Sequence, residues 1–164
     1  MAGLKAIGEL AERVIQQSPD ALLLVDQAGR ITYVNEAVTT LFGYSAGELL
    51  GQAIELLVPE SARSLHERYR QGFAAAPATR EMGARIVALA ACRQDGTEFP
   101  AEIRLAPIHA AGGEGNGGNF VLAAVRDVTD RRRMTDELRV ARAEADSANK
   151  TKSRFLATDR KSVV

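Results

Sequence analysis

The chain has 164 residues, which is enough for one domain with extensions and a buried core. Its 21 basic and 21 acidic residues give a formal net charge of +0, so the overall charge gives no reason to expect nucleic acid or a membrane surface as a partner. A single cysteine excludes an internal disulfide framework, and no apolar run approaches the roughly 18 residues of a membrane span. Since a signal-peptide pattern is also absent, we expect a cytoplasmic protein.

The first segment, residues 1–17, has the pattern of an amphipathic helix. Leu4, Ile7, Ala11 and Val14 recur at spacings of three and four, and Ser18-Pro19 ends the pattern. A helix this short is marginal by itself in water. We therefore expect it to need a partner surface.

Two short strands follow the helix. Residues 21–25 form a continuous apolar run, and residues 31–34 form the return strand of a hairpin. Gly29, in the turn between them, can adopt a positive φ. The pattern predicts an antiparallel pair at the start of the domain.

Short helices come next. Asn35 is a predicted N-cap, and Ser45 with Glu48 matches a capping box. A longer helix is predicted over residues 60–73. Its predicted inward face consists of Ala62, Leu65, Tyr69 and Phe73.

Three β-type runs complete the domain, at residues 80–93, 97–109 and 120–127. Gln94-Asp95-Gly96 between the first two is a hairpin turn. Pro100 and Pro107 suggest that the second run lies at an edge or contains bulges. Strands grouped apart from helices favour an α+β fold.

Four stretches resemble the PAS (Per-Arnt-Sim, or S-box) sensor fold with its C-terminal PAC motif. They are residues 18–35, 41–51, 93–100 and 125–131. The resemblance implies a PAS/PAC domain over residues 18–128. It further implies a five-stranded antiparallel sheet with short helices over one face, enclosing a small pocket.

A second resemblance concerns residues 129–158, a long helical pattern after the last strand. Glu144 to Ala157 is similar to the entry of the dimerisation helix of bacterial sensor histidine kinases. The resemblance implies that this signalling helix leads to a phosphoacceptor histidine and a kinase domain that are missing from this chain. Residues 159–164 could be encoded by a common sequencing adapter, so we expect them to be non-native.

The same helical pattern carries a heptad seam. Its members are Met134, Leu138, Ala141, Ala145, Ala148, Lys152 and Phe155. The seam predicts a homodimer through the N- and C-terminal helices, weakly held because alanines bury little area. A helix folded back on its own sheet would give the same period.

The joint between strand and helix is the expected route for a signal. Asp127, Thr129 and Arg131 are the residues we predict to transmit it. Arg131 and the two arginines after it could also form a nucleic-acid patch. We favour a solvated helix face, since the arginines that follow have carboxylates four residues further on.

His66 and Arg85 are the candidate cofactor residues. The run from Pro59 to His66 is similar to the one that ends in the axial histidine of the oxygen-sensing haem branch of PAS proteins. Arg85 lies where that branch has a gas-sensing arginine, with one residue fewer in between, although PAS domains without haem also often have a histidine and an arginine at these positions. The resemblance thus implies haem as an alternative ligand. The branch's propionate-binding arginine is replaced by Gly72, and His66 could equally be a surface residue.

Other chemistries find little support. Cys92 lacks the Asn-Cys-Arg context of a flavin photosensor, and no metal-ligand or catalytic spacing stands out. Gly113, Gly115 and Gly118 fit G-x-G-x-x-G, but a strand follows where a dinucleotide site needs a helix. We therefore expect a non-enzymatic sensory module that detects a small ligand or a redox state. The alternative is a PAS interaction domain without a ligand.

Overall fold

The computed structural model describes residues 2–75, 80–82, 89–109 and 118–162. The chain divides into two compact units, Met1–Val128 and Thr129–Val164. No helix in the described part of the chain is both long enough and apolar enough to cross a bilayer.

Within its described residues, the first unit contains four helices, two 3₁₀ turns and six strands. The helices are α1 (Ala2–Gln16), α2 (Glu36–Phe42), α3 (Ala46–Leu49) and α4 (Arg63–Ala75), and the 3₁₀ turns span Ile54–Leu57 and Glu60–Ala62. The strands are β1 (Ala21–Asp26), β2 (Ile31–Val34), β3 (Arg80–Met82), β4 (Leu89–Cys92), β5 (Glu98–His109) and β6 (Asn119–Asp127). The second unit is one helix, α5 (Thr129–Ser162).

The six strands form one antiparallel sheet in the order β2-β1-β6-β5, with β3 and β4 both paired to β5. Since β6 occupies one edge of β5, β3 and β4 share the other edge in succession. The sheet therefore has five strand positions, and the predicted α+β fold with a five-stranded antiparallel sheet is confirmed.

β5 is an interior strand, so the suggestion that its prolines mark a sheet edge is wrong for the strand as a whole. Pro100 pairs with β4 and precedes the first β6 partner, at Ala101. Pro107 pairs with β6 and lies beyond the β3 ladder, which ends at Leu105. Each proline thus lies where β5 has one paired neighbour among the described strands, which tolerates a missing N–H.

The core lies against one face of the sheet. β1 alternates buried and half-buried residues, as expected for a strand with one covered face. Phe42 of α2 and Phe99 of β5 pack with their ring centroids 5.6 Å apart. The other large, fully buried side chains are Leu23, Ile31, Val38 and Leu49, besides the polar Asn35.

Asn35 caps α2, as predicted, and also joins three elements. Its Oδ1 accepts hydrogen bonds from the backbone N–H groups of Val38 (3.3 Å) and Leu22 (2.9 Å). Its Nδ2 donates to the carbonyls of Ile15 and Asp20, both at 3.0 Å. A side chain that is 1% exposed is therefore fully hydrogen-bonded.

The prediction that Leu65 and Tyr69 of α4 face the core is wrong. Leu65 is 49% exposed and Tyr69 is 61% exposed, whereas His66 and Arg70 are half-buried. Phe73 is buried as predicted. The side of α4 that faces the domain carries His66 and Arg70, because both bond to one carboxylate there.

The body of α1 is exposed from Ala6 to Ile15, including the apolar residues Ile7, Leu10 and Val14. Its C-terminal end is held by Gln16, whose Nε2 donates to the Tyr33 hydroxyl at 2.7 Å. The predicted apolar stripe is therefore uncovered from Ile7 to Val14 in the single chain.

Candidate functional site

Arg93 and Asp127 form an ion pair at the end of the sheet. Arg93 follows β4 and Asp127 is the last residue of β6, and Nη2 of the arginine donates to Oδ2 of the carboxylate at 2.7 Å. Both side chains are 27% exposed, so solvent screens the pair only in part. The pair connects two positions that are 34 residues apart.

Arg93 also contacts the helical part of the domain. Its Nη1 donates to the carbonyl of Leu41 in α2, and its guanidinium lies 4.1 Å from the centroid of the Phe99 ring. Gln94 N donates to the carbonyl of Phe42 at 2.8 Å. Arg93 therefore joins the end of α2, the core ring of β5 and the end of β6.

Val128 completes this end of the first unit. It is buried, and its N–H donates to the carbonyl of Pro100 at 3.0 Å. The residue after it, Thr129, begins α5, and Asp130 provides a carboxylate in the first turn, where it suits the positive end of the helix dipole. The transmission roles of Asp127, Thr129 and Arg131 remain predictions.

A second polar cluster involves His66. Oε1 of Glu55, in the first 3₁₀ turn, lies 3.0 Å from Nδ1 of His66 and 3.0 Å from Nε of Arg70. Because an ionised carboxylate only accepts hydrogen bonds, Nδ1 carries the proton in this pair. We call Glu55, His66 and Arg70 the Glu55 cluster.

The environment of Glu55 favours its charged form. Burial acts to raise the pKa of Glu55, but hydrogen bonds from its own backbone amide, from His66 and from Arg70, together with the Arg70 charge, outweigh it. The pKa lies below its ordinary value of 4.5. The carboxylate is therefore ionised at neutral pH.

The other candidate residues are dispersed. Arg85, Gly113 and Gly115 lie outside the described residues, so the His66–Arg85 pair stays a prediction. Cys92 is a half-buried free thiol, and His109 is exposed with its Nδ1 2.7 Å from Oδ1 of Asn119. The described residues contain no group of three or more potential metal ligands.

Sequence patterns predict no role for three residues of the ion pair and the Glu55 cluster, namely Arg93, Glu55 and Arg70. Arg93 was noted only as part of a PAS-like stretch, and Glu55 lies 11 residues before His66, too far apart for a local pattern. No periodicity could have found either pair, since each joins elements that meet only in the folded domain.

Residues 9–128 match the sequence profile of the family described as PAS fold. The chain belongs to the PAS family. The PAS domain of the HTR-like protein from Haloarcula marismortui has a similar structure, with a TM-score of 0.61 at 22% identity. The match covers 77% of this chain and 95% of that one. The resemblance inferred from four short stretches is thus confirmed.

Two curated relatives are longer signalling proteins. The sensor protein FixL of Bradyrhizobium diazoefficiens is 31% identical over 132 residues, which is 80% of this PAS chain and 25% of that protein. The cell-division control histidine kinase PdhS of Brucella ovis is 27% identical over 157 residues, which is 94% of this chain and 14% of that protein. The chain spans a quarter or less of each relative, and it is a PAS domain related to histidine kinase sensors.

Proposed function

We propose that this PAS chain is the sensory module of a cytoplasmic, two-component sensor histidine kinase. It would respond to a small ligand or a redox change and transmit the response through α5. The observation that carries the proposal is the position of Arg93. Its guanidinium contacts α2, the Phe99 ring and Asp127, and Asp127 directly precedes Val128. The names of the two relatives agree with such a role.

The proposed route runs through atoms already in contact. A displacement of α2 or of the Phe99 ring would move the Arg93 guanidinium, which bonds to both α2 and Asp127. Asp127 is followed by the buried Val128 and then by α5. Movement at the carboxylate would therefore reach Thr129 through two peptide bonds and Arg131 through four.

We also propose that the active form is a homodimer held by α1 and α5. Both helices have uncovered apolar residues, Leu10 and Val14 in α1 and Leu138 and Phe155 in α5. A pair of helices with such stripes gains stability by burying them together. The catalytic kinase domain would be supplied by the parent protein.

The transmission proposal is tested in a kinase that carries residues 1–158 as its sensor. We expect Asp127→Ala to change the basal autophosphorylation rate several-fold while the module stays folded by circular dichroism. Arg126→Gln is the matched control, because Arg126 is the neighbouring charged residue and pairs with Asp20 instead. Equal autophosphorylation rates in the unsubstituted kinase and in the Asp127→Ala variant would reject the proposal.

A haem sensor is the second candidate, and it is favoured by the Glu55–His66 hydrogen bond. Histidines that bind metals commonly donate one ring N–H to a carboxylate, which leaves the other nitrogen for the metal. His66 would hold the iron through Nε2, and haem would supply binding of a diatomic gas. The oxygen-sensing haem branch has an arginine six residues after its axial histidine. The corresponding residue here is the exposed Gly72, which offers no cation for a haem propionate.

An absorption spectrum after incubation with haemin separates the two candidates. A band near ~400 nm that is lost in His66→Ala and kept in His109→Ala would establish haem bound through His66. A colourless protein would reject haem and leave a colourless ligand or an interaction domain without a ligand.

A further inference from the structure

α4 is joined to the rest of its unit with little apolar burial. Phe73 is its one buried residue among those described, and no α4 residue belongs to the contiguous core cluster. The large apolar residues Leu65 and Tyr69 face solvent. What holds this helix in place must therefore be mainly polar.

The Glu55 cluster supplies that attachment. One carboxylate oxygen, on a side chain that is 15% exposed, accepts from both His66 and Arg70, which lie one turn apart on the same face of α4. Charge-assisted hydrogen bonds of this kind are stronger than neutral ones. Because both donors share one acceptor, the loss of Glu55 removes both bonds together.

Arg70 extends the attachment to the β1–β2 turn. Gly29 in that turn is buried and has a φ of +82°, and its carbonyl accepts a hydrogen bond from Ile54 N at 2.9 Å. A Cβ added at Gly29 would lie 2.4 Å from Cζ of Arg70, so the guanidinium packs directly on the glycine backbone. Glycine is needed there for this contact as well as for its φ.

The N-terminal end of α4 is held by contacts of Pro59 and Arg63, so the helix can turn about this end. Pro59 is buried, and its carbonyl accepts from Ala62 N at 2.9 Å in the 3₁₀ turn that precedes α4. Arg63 Nε donates to the carbonyl of Val58 at 3.1 Å. This end stays fastened by contacts that do not involve Glu55.

We propose that the Glu55 cluster is a latch, and that α4 opens as a unit about Pro59 when the latch is broken. Opening costs little apolar burial, because the helix contributes one buried side chain among those that the structure describes. It is therefore a local event, separate from unfolding of the sheet. The inference concerns α4 alone and stands whether or not the chain is a kinase sensor.

Amide hydrogen exchange on the full chain tests the latch, because a 13-residue helix that leaves the domain is marginal in water and its amides then exchange. We expect Glu55→Gln to raise exchange rates over residues 65–73 by about tenfold, with β1 and β6 unchanged, since about 1.4 kcal/mol of local opening energy corresponds to a factor of ten. Glu60→Gln is the control, because Glu60 is an exposed glutamate in the adjacent turn. Unchanged α4 rates, or an equal rise in β1 and β6, would overturn the proposal.

A second pair of variants tests the same latch without altering Glu55, in case that variant does not fold. Gly29→Ala and Gly43→Ala place a side chain at nearly the same strained φ, +82° and +81°. Only the first displaces Arg70, since a Cβ at Gly43 meets Gln94 alone, at 3.7 Å. We expect α4 to exchange several-fold faster in Gly29→Ala than in Gly43→Ala. Equal rates in the two variants would reject the latch.

Discussion

Asn35 shows how one buried amide can fix the start of a domain. Its four hydrogen bonds reach the last turn of α1, the residue before β1, β1 itself and the first turn of α2. A local pattern predicts the bond to Val38, because it is an N-cap contact. The other three depend on the chain returning to the same place, so only the fold produces them.

Replacing Asn35 by alanine should lower the free energy of unfolding by about 2–3 kcal/mol, because buried donors and acceptors lose their partners. Urea denaturation followed by circular dichroism measures the change. Asn149→Ala, on the exposed surface of α5, is the control and should change the free energy by no more than about 0.5 kcal/mol. Equal effects of the two substitutions would show that the Asn35 bonds contribute nothing special.

Glu55 gives the domain a pH-dependent contribution with a definite sign. Its pKa is lower in the folded chain than the ordinary 4.5, so the folded state favours the ionised form. The stabilisation is complete above 4.5 and is lost as the pH falls below that value through the folded-state pKa. We expect the unsubstituted chain to have a larger free energy of unfolding than the Glu55→Gln variant at about pH 7. The difference should shrink at about pH 3. A pH-independent difference between the two proteins would contradict this.

At the scale of elements, the Arg93–Asp127 pair connects the β4–β5 hairpin to the end of β6. Arg126, the residue before Asp127, makes three hydrogen bonds to the Asp20 carboxylate, but the side chains of Asp20 and Arg126 are 35% and 62% exposed. We expect the more buried Arg93–Asp127 pair to contribute more to stability, because an exposed ion pair is screened by solvent and costs side-chain entropy. Arg93 also stacks on the Phe99 ring, so a substitution at Arg93 removes this contact as well as the ion pair.

A double-mutant cycle should show this difference. For Arg93→Gln with Asp127→Asn we expect a coupling energy of about 1 kcal/mol, and for Asp20→Asn with Arg126→Gln about half of that or less. Thermal or urea unfolding of the single and double variants provides the values. A larger coupling for Asp20–Arg126 would show that the more exposed pair is the structural one.

For the whole molecule, the main feature is the amount of apolar surface that a single chain leaves uncovered. α1 exposes Ile7, Leu10 and Val14, and α5 exposes Leu138 and Phe155. Soluble monomers rarely leave regular apolar stripes on helices uncovered. The proposed homodimer would cover them.

The predicted heptad seam makes this testable by sedimentation. We expect the full chain to dimerise in a concentration-dependent way, and Leu138→Lys to shift it to the monomer by placing a charge in the seam. Val140→Lys is the matched control, since Val140 is an exposed apolar residue of α5 that lies off the seam. If both variants behave like the parent, the seam is not the dimer interface.

The class and order of the elements follow from local patterns in the sequence. Strand runs, turn residues and caps act locally, so β1, β2, the Asn35 cap and the long C-terminal helix could be predicted from neighbours in the chain. PAS-like stretches then identified the family, because their order reflects the whole fold.

The pairing of the polar groups, by contrast, depends on the folded chain. The period of α4 predicted Leu65 and Tyr69 inside, yet His66 and Arg70 are turned inward, because Glu55 is available in a separate turn. Asp127 was identified from its place at the joint, whereas its Arg93 partner comes from a different hairpin. Charge pairs between distant segments leave no periodic trace in a sequence, since their spacing is set by the path of the folded chain.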